Sequence, residues 1–236
     1  VRYIPPPEDN KSCCRAGRWK LPYELEAARV SHKSLDPQEL GPRASYQLLN
    51  ACVSPRPIAF VSTLSPEGLP NLSPFSYFMA GGANPPSVVI SPLGSRPGAK
   101  KDTLINIEAT EEWTVSVVTY ALAERMNAAS ASFPYGVSEW DHTGFQPSTS
   151  DLVKPAFVAE SPMALECKLF QIVRHGPGPL SANYCIGEIV RFHIAEELLT
   201  ENGTVDAERV DYIARMSADW YARANSTAMF ALVRPE

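Results

Sequence analysis

The stretch Pro55–Thr103, PRPIAFVSTLSPEGLPNLSPFSYFMAGGANPPSVVISPLGSRPGAKKDT, limits the possible folds more than any other part of the chain. Ile58, Phe60, Val61 and Leu64 are bulky or β-branched, which suits a half-buried strand. Ser65-Pro66-Glu67-Gly68 then reverses direction, with proline presetting φ at the second turn position and glycine at the fourth. The return strand predicted from Leu69 to Met79 interleaves Asn71, Ser73 and Ser76 with Leu72, Phe75 and Phe78. Such a strand either turns its polar side chains to water or lines a flat heteroaromatic ligand with polar edges. Ser87–Ser91 follows Pro85-Pro86 as a short, apolar strand.

Gly94-Ser95-Arg96-Pro97-Gly98-Ala99-Lys100-Lys101-Asp102-Thr103 then gathers three cations in a chain of net charge -5. Asp102 or Thr103 is placed to cap the helix predicted by Leu104, Ile105 and Ile107. A basic, glycine-containing loop that feeds a helix N-terminus is a ready anion site, because free N–H groups and the helix dipole point at it. A solvated surface loop is the alternative.

The 236 residues, 44% of them hydrophobic, suffice for one sizeable core. The acidic balance, with a pI near 5.5, argues against a nucleic-acid partner. No apolar run approaches the roughly 20 residues that cross a bilayer, and no signal-like segment opens the chain. The expectation is a soluble, cytoplasmic protein without a membrane role. The five cysteines lack framework spacing, and Cys13-Cys14, Cys52, Cys167 and Cys185 read as reduced thiols.

Three regions are expected: an N-terminal arm over 1–44 that covers the site or a dimer partner, a barrel domain over 45–200, and a C-terminal helix and tail over 201–236. The arm is proline-rich, with Trp19, Leu21 and Tyr23 as docking groups. Tyr46–Val53 has helix-to-strand character. Trp113–Val118 alternates as a strand, and Ala121–Ala131 is alanine-rich and helical. Ser132–Lys154 reads as a long functional loop. Its Glu139, Asp141 and His142 match no established metal spacing, so no metal is expected, and His142 is the candidate catalytic lid residue. Leu165–His175 and Tyr184–Leu199 are further strands. Alternation in the second places Ile186, Glu188, Val190 and Phe192 on one face, and Gly187 marks a bulge or a close neighbour. His175 and His193 read as structural. Val210, Ile213, Ala214 and Met216 recur at helical spacing within Asp206–Asn225.

Many short strands with few helices predict a mainly β protein, an antiparallel barrel with peripheral helices. Arg56–Thr63, Asn71–Ser76, Asn84-Pro85-Pro86, Arg96 through Asp102-Thr103 and Gly187-Glu188-Ile189-Val190, in that order, resemble the flavin reductase-like family of FMN-binding split barrels. That resemblance implies a six-stranded antiparallel split β-barrel, a homodimer with FMN near the subunit interface. Asn71, Ser73, Pro74, Phe75 and Ser76 would lie along the isoalloxazine or ribityl chain, with Arg56 and Thr63 beside them. Ser91, Leu93, Arg96, Lys100, Lys101 and Thr103 would hold the phosphate end, with Asp102 capping the helix or orienting a lysine. Several members carry a histidine just before the Gly-Glu-Val strand, where this chain has Ser181-Ala182-Asn183-Tyr184-Cys185.

The activity implied is an FMN-dependent oxidoreductase, an NAD(P)H:flavin reductase using NADH or NADPH and passing reduced flavin or electrons to an acceptor. One alternative is a flavin-dependent oxidase or oxygenase that encloses a small organic substrate under the Ser132–Lys154 loop. Another is a non-catalytic flavin-binding protein with Trp19, Trp140 and Trp220 as surface anchors.

Overall fold

A computed structural model describes residues 30–94, 100–134 and 137–233. The barrel lies within the compact unit formed by residues 40–236. Arg96, Trp19, Leu21, Tyr23 and Cys13-Cys14 lie outside the described residues. The strands are β1 (Ala59–Leu64), β2 (Pro70–Phe75), β3 (Phe78–Ala83), β4 (Pro86–Ile90), β5 (Glu112–Val117), β6 (Pro147–Ser148), β7 (Phe157–Val158), β8 (Met163–His175), β9 (Ala182–Ile194), β10 (Tyr212–Arg215) and β11 (Tyr221–Ala224). The α-helices are α1 (Pro37–Cys52), broken at Gly41, α2 (Asp102–Thr110), α3 (Ala123–Ala128) and α4 (Glu139–Thr143).

The main sheet is antiparallel throughout, in the order β2-β1-β5-β8-β9-β4-β3. Only Ser76 and Tyr77 separate β2 from β3, yet these strands occupy opposite edges. In a flat sheet those edges would stand about 29 Å apart at ~4.8 Å per strand spacing. Three Cα steps reach about 11 Å at most. The sheet must therefore curl until its edges meet, and the absence of a β2–β3 ladder splits the resulting barrel. The expected split barrel is present, with seven strands in its sheet rather than six. The predicted Leu69–Met79 strand is two strands, because the chain turns this corner at Ser76-Tyr77 and changes partner.

Side chains alternate between two apolar layers. Ala59, Val61, Phe75, Val88, Ile90, Trp113, Val115, Cys167 and Cys185 fill the concave side, where Leu104 and Ile107 of α2 join them. Phe60 and Leu72 face outward against Met126 of α3, Trp140 of α4 and Phe145. The Ser132–Lys154 region therefore carries a short helix and a strand, and Trp140 is a core residue rather than a surface anchor. Burial pushes the Cys167 thiol up, and the Cys185 thiol up to about 12.

Gly187 has a plain steric reason: a Cβ there would lie 2.2 Å from the Trp113 ring. The register slips between Glu166 and Cys167, so Ile189 opposes Cys167 while Phe192 opposes Leu165. The extra residue moves Phe192 to the face of Ile189, which corrects the simple alternation.

The predicted C-terminal helix is also corrected. Asp206 accepts from Glu208 N and caps a single 3₁₀ turn, and β10 pairs with β11 as a hairpin. Val210 and Ile213 are buried in different apolar clusters, so their helical spacing reflects two separate contacts. Bridges from Arg215 to Arg56 and from Tyr212 to Thr119 tie β10 to the barrel and draw this segment into extended form. Val1–Ala44, read as an arm, includes the start of α1, and Tyr46–Cys52 is helical throughout.

Glu166 is fully buried on the outward side of β8. Its carboxylate accepts from the backbone N–H groups of Asp151 (2.7 Å), Leu152 (2.7 Å) and Val153 (3.0 Å), and lies 2.6 Å from His193 Nε2. Burial alone would raise its pKa, but the backbone donors and His193 together hold the carboxyl below the usual range. Asp151, Glu166 and His193 cluster within 4.8 Å, with the Glu166 lone pairs already engaged by protein donors, and the cluster reads as an anchor for the 151–153 turn. A depressed carboxyl stabilises the fold above its unfolded pKa of about 4.3, and that contribution fades as pH falls through the lower folded value. Glu166→Gln is expected to cost about 2–4 kcal/mol near neutral pH, by setting an amide donor against backbone donors. Denaturant titrations across acidic pH check this: the difference from the wild type should shrink as pH falls, and a constant difference counts against the assignment.

Candidate functional site

Thr63, Asn71, Thr103 and Asn106 meet on the concave side of the barrel. All four are buried. Asn71 Nδ2 donates to Thr103 Oγ1 at 2.9 Å and approaches Thr63 Oγ1 at 3.4 Å, while Asn106 Nδ2 donates to Thr63 Oγ1 at 3.0 Å. The β1–β2 register places Thr63 opposite Asn71, so the cluster follows from the hairpin together with the first turn of α2. Asn106 Oδ1 has no partner among the described residues. Sequence reading passes over Asn106, although a lone amide among Leu104, Ile105 and Ile107, three positions after Thr103, is a usable signal.

The helix starts at Asp102 with Lys101 at its N-cap, so neither Asp102 nor Thr103 caps it, and no side chain does. Leu104 N and Ile105 N donate to the Lys101 carbonyl, which leaves the N–H groups of Asp102 and Thr103 for an outside acceptor. The two lysines differ. Lys100 pairs with Glu108, which also takes Arg174. The Lys101 ammonium has no ion pair or hydrogen bond among the described residues and lies 5.4 Å from the centre of the Phe75 ring. Burial lowers its pKa below the ordinary lysine value. Phe75 shares the concave face with Asn71 and Ser73, and the Ser73 hydroxyl has no partner among the described residues. The structure thus brings together Thr63, Asn71, Ser73, Phe75, Lys101, Asp102 and Thr103.

Other sequence candidates serve the frame around this place. Ser91 is buried, and its Oγ accepts from Asn183 N at 3.2 Å, while Asn183 Nδ2 donates to the Pro92 carbonyl at 2.9 Å. Leu93 is half-buried in the adjoining segment, where Gly94 exchanges backbone hydrogen bonds with Leu180 and Ser181. Pro74 pairs with Phe60 in the β1–β2 ladder.

The Arg56 guanidinium is buried and committed. It donates to the carbonyls of Asn50 (2.8 Å), Val53 (2.7 Å) and Met216 (3.0 Å), and to Ser76 Oγ at 3.3 Å. Arg56 therefore fastens α1 and the C-terminal segment to the corner between β2 and β3.

His142 stands apart from the strand residues. It is exposed on α4 and stacks on Phe133 with centroids 4.9 Å apart. Glu139, one turn earlier, is buried and accepts from Leu72 N at 2.9 Å.

The split barrel has known counterparts. The model of the flavin reductase like domain matches residues 52–212. The chain belongs to the flavin reductase like family. An uncharacterized relative from Halalkalibacterium halodurans is 35% identical over 204 residues, covering 85% of this chain and 96% of the relative. Among solved structures, component B of nitrilotriacetate monooxygenase from Bacillus cereus has 31% identity and a TM-score of 0.80, over 86% of this chain and 100% of that one. The 2-nitrobenzoate 2-nitroreductase of Pseudomonas fluorescens has 31% identity and a TM-score of 0.76, over 86% and 96% of the two chains.

Within this flavin reductase-like barrel, Arg56→Ala would leave three backbone carbonyls without their donor. A loss of about 2–4 kcal/mol is expected by denaturant unfolding, with partial recovery in Arg56→Lys, because an ammonium cannot reproduce the planar fork. A loss below about 0.5 kcal/mol would remove the clamp role.

Proposed function

We propose that the protein is an FMN-dependent NAD(P)H:flavin reductase that supplies reduced flavin or electrons to an acceptor. The observation that carries this reading is the open N-terminus of α2 beside Lys101, a cation without a carboxylate partner, on the same concave face as Asn71, Ser73 and Phe75. An uncapped helix end with a partly desolvated ammonium suits a phosphate dianion. The residues present therefore fit a flavin mononucleotide. Lys101 and the backbone N–H groups at Asp102 and Thr103 would bind its phosphate. Asn71 and Ser73 would orient the polar parts of the cofactor, and Phe75 would offer an apolar wall. Ser76, Pro74 and Arg56 shape the corner, and Ser91 and Leu93 hold the adjoining loop. Arg96 and Lys100 add positive charge along the same segment. His142, exposed on α4, is the candidate lid residue. When bound, the flavin supplies the hydride and electron chemistry.

Exposed Met79, Phe170, Val173, Tyr184 and Phe192 on β3, β8 and β9 support a homodimer, since a monomer rarely leaves so many large apolar groups in water. A second reading, direct reduction of a small organic substrate, is favoured by the nitroreductase relative, whose identity to this chain equals that of the monooxygenase component.

Anaerobic addition of NADH or NADPH to the FMN-loaded protein should bleach the flavin absorbance. Anaerobic reoxidation of the bleached flavin by an added organic substrate would favour the second reading, and bleaching that requires an organic substrate as donor would favour the oxidase alternative. Lys101→Ala should weaken FMN binding about 10-fold or more, while Lys100→Ala, which breaks an exposed pair, should change it less than about 3-fold. Unchanged FMN affinity in Lys101→Ala would remove the phosphate assignment.

A further inference from the structure

Strand β2 lies at an edge of the sheet, with β1 as its ladder partner. The N–H of Leu72 is nevertheless satisfied, because Glu139 Oε2 accepts from it at 2.9 Å. Glu139 is only 9% exposed, so its carboxylate is committed to this contact inside the protein. The helix that carries it is itself held: Thr143 Oγ1 donates to the Glu139 carbonyl at 2.8 Å, and Arg125 Nε of α3 donates to the Thr143 carbonyl at 3.0 Å. Leu72 is flanked by Asn71 and Ser73, whose side chains face the concave site, and Asn71 is hydrogen-bonded to Thr103 at the start of α2.

We propose that Glu139 is a positioning residue for the cofactor site, its buried carboxylate fixing edge strand β2 from behind while Asn71 and Ser73 face the ligand. The inference rests on the flavin reading given above. It also couples the site to a proton. The charges of Asp102, on the first turn of α2, and of His142, on α4 itself, act on Glu139. Burial first, and then Asp102, raise the Glu139 pKa, against the hydrogen bond from Leu72 and the nearby His142. The other charged groups on the adjoining helices are Glu108 of α2 with Lys101 at its N-cap, Glu124 and Arg125 of α3 and Asp141 of α4, and β2 has none. A phosphate dianion at the α2 N-terminus adds a second negative charge beside Asp102. Binding then favours the protonated acid, and by linkage FMN affinity falls as pH rises through the Glu139 titration.

The test is FMN titration by fluorescence quenching for wild type, Glu139→Ala and Glu139→Gln between about pH 5 and pH 8, with riboflavin in parallel and circular dichroism to monitor folding. Glu139→Ala should bind FMN about 10-fold more weakly, since Leu72 N loses its acceptor. Glu139→Gln keeps an acceptor oxygen, so it should remain within about 3-fold of wild type at the acidic end, and wild-type FMN affinity should fall relative to Glu139→Gln as pH rises, the phosphate's own titration at pH ~6 cancelling between the two proteins. An FMN affinity in folded Glu139→Ala within about 2-fold of wild type overturns the proposal. So does a Glu139→Gln profile parallel to wild type, which decides the matter even where the alanine variant fails to fold. Wild-type protein that binds no FMN overturns the flavin reading itself, whereas wild-type binding with indifferent variants overturns the role of Glu139 alone.

Discussion

A single buried guanidinium holds the corner on which the barrel closes. Two residues join strands at opposite edges of the sheet, and that short link sets how far the sheet must curl. Arg56 grips the link at Ser76 and draws in the end of α1 and the carbonyl of Met216. Its partners are carbonyl and hydroxyl oxygens, and two of them lie at the C-terminal end of α1, where the helix dipole favours a cation. Tyr77 completes the corner, with its hydroxyl donating to Asn50 Oδ1 at 3.0 Å and its ring beneath Arg56.

With the corner fixed, the concave face gathers the residues of the proposed site. Neither lysine of the basic loop acts through charge alone. Glu108 takes Lys100, and the ammonium that remains beside the open helix end is Lys101. Asn71 reaches from β2 to the first turn of α2, so the strand that would touch a flavin ring and the helix that would hold its phosphate are braced against each other. On the far side, Glu139 occupies the free edge of β2. The strand edge of the proposed ligand site is thereby held on both sides, which would limit the ordering cost of binding.

Much of this architecture is legible in the order of residues. The hairpin through Ser65–Gly68, the helix after the basic loop and the paired long strands arise from local pattern, because turn residues and alternation act over a few positions. The pairing of Asn71 with Thr63 comes from the same hairpin. Glu139 gives no such signal: its partner Leu72 is 67 positions away, and an acidic residue in a polar loop reads as solvated. Arg56 resembles a ligand contact in sequence because its Met216 partner lies 160 positions off. The C-terminal hairpin is hidden, since a three-residue spacing of Val210 and Ile213 fits a helix as well as two separate burials.

By itself the sequence determined the strand-rich barrel class, the presence of a polar strand and a basic helix start in one stretch, and membership of the flavin reductase like family. These rest on short-range preferences and on an ordered set of motifs. Tertiary structure alone decided which lysine stays unpaired, which carboxylates are buried as anchors, and that Arg56 holds the frame. The physical reason is that a charge takes its role from its partner and its solvation, and both are supplied by residues far away in the chain.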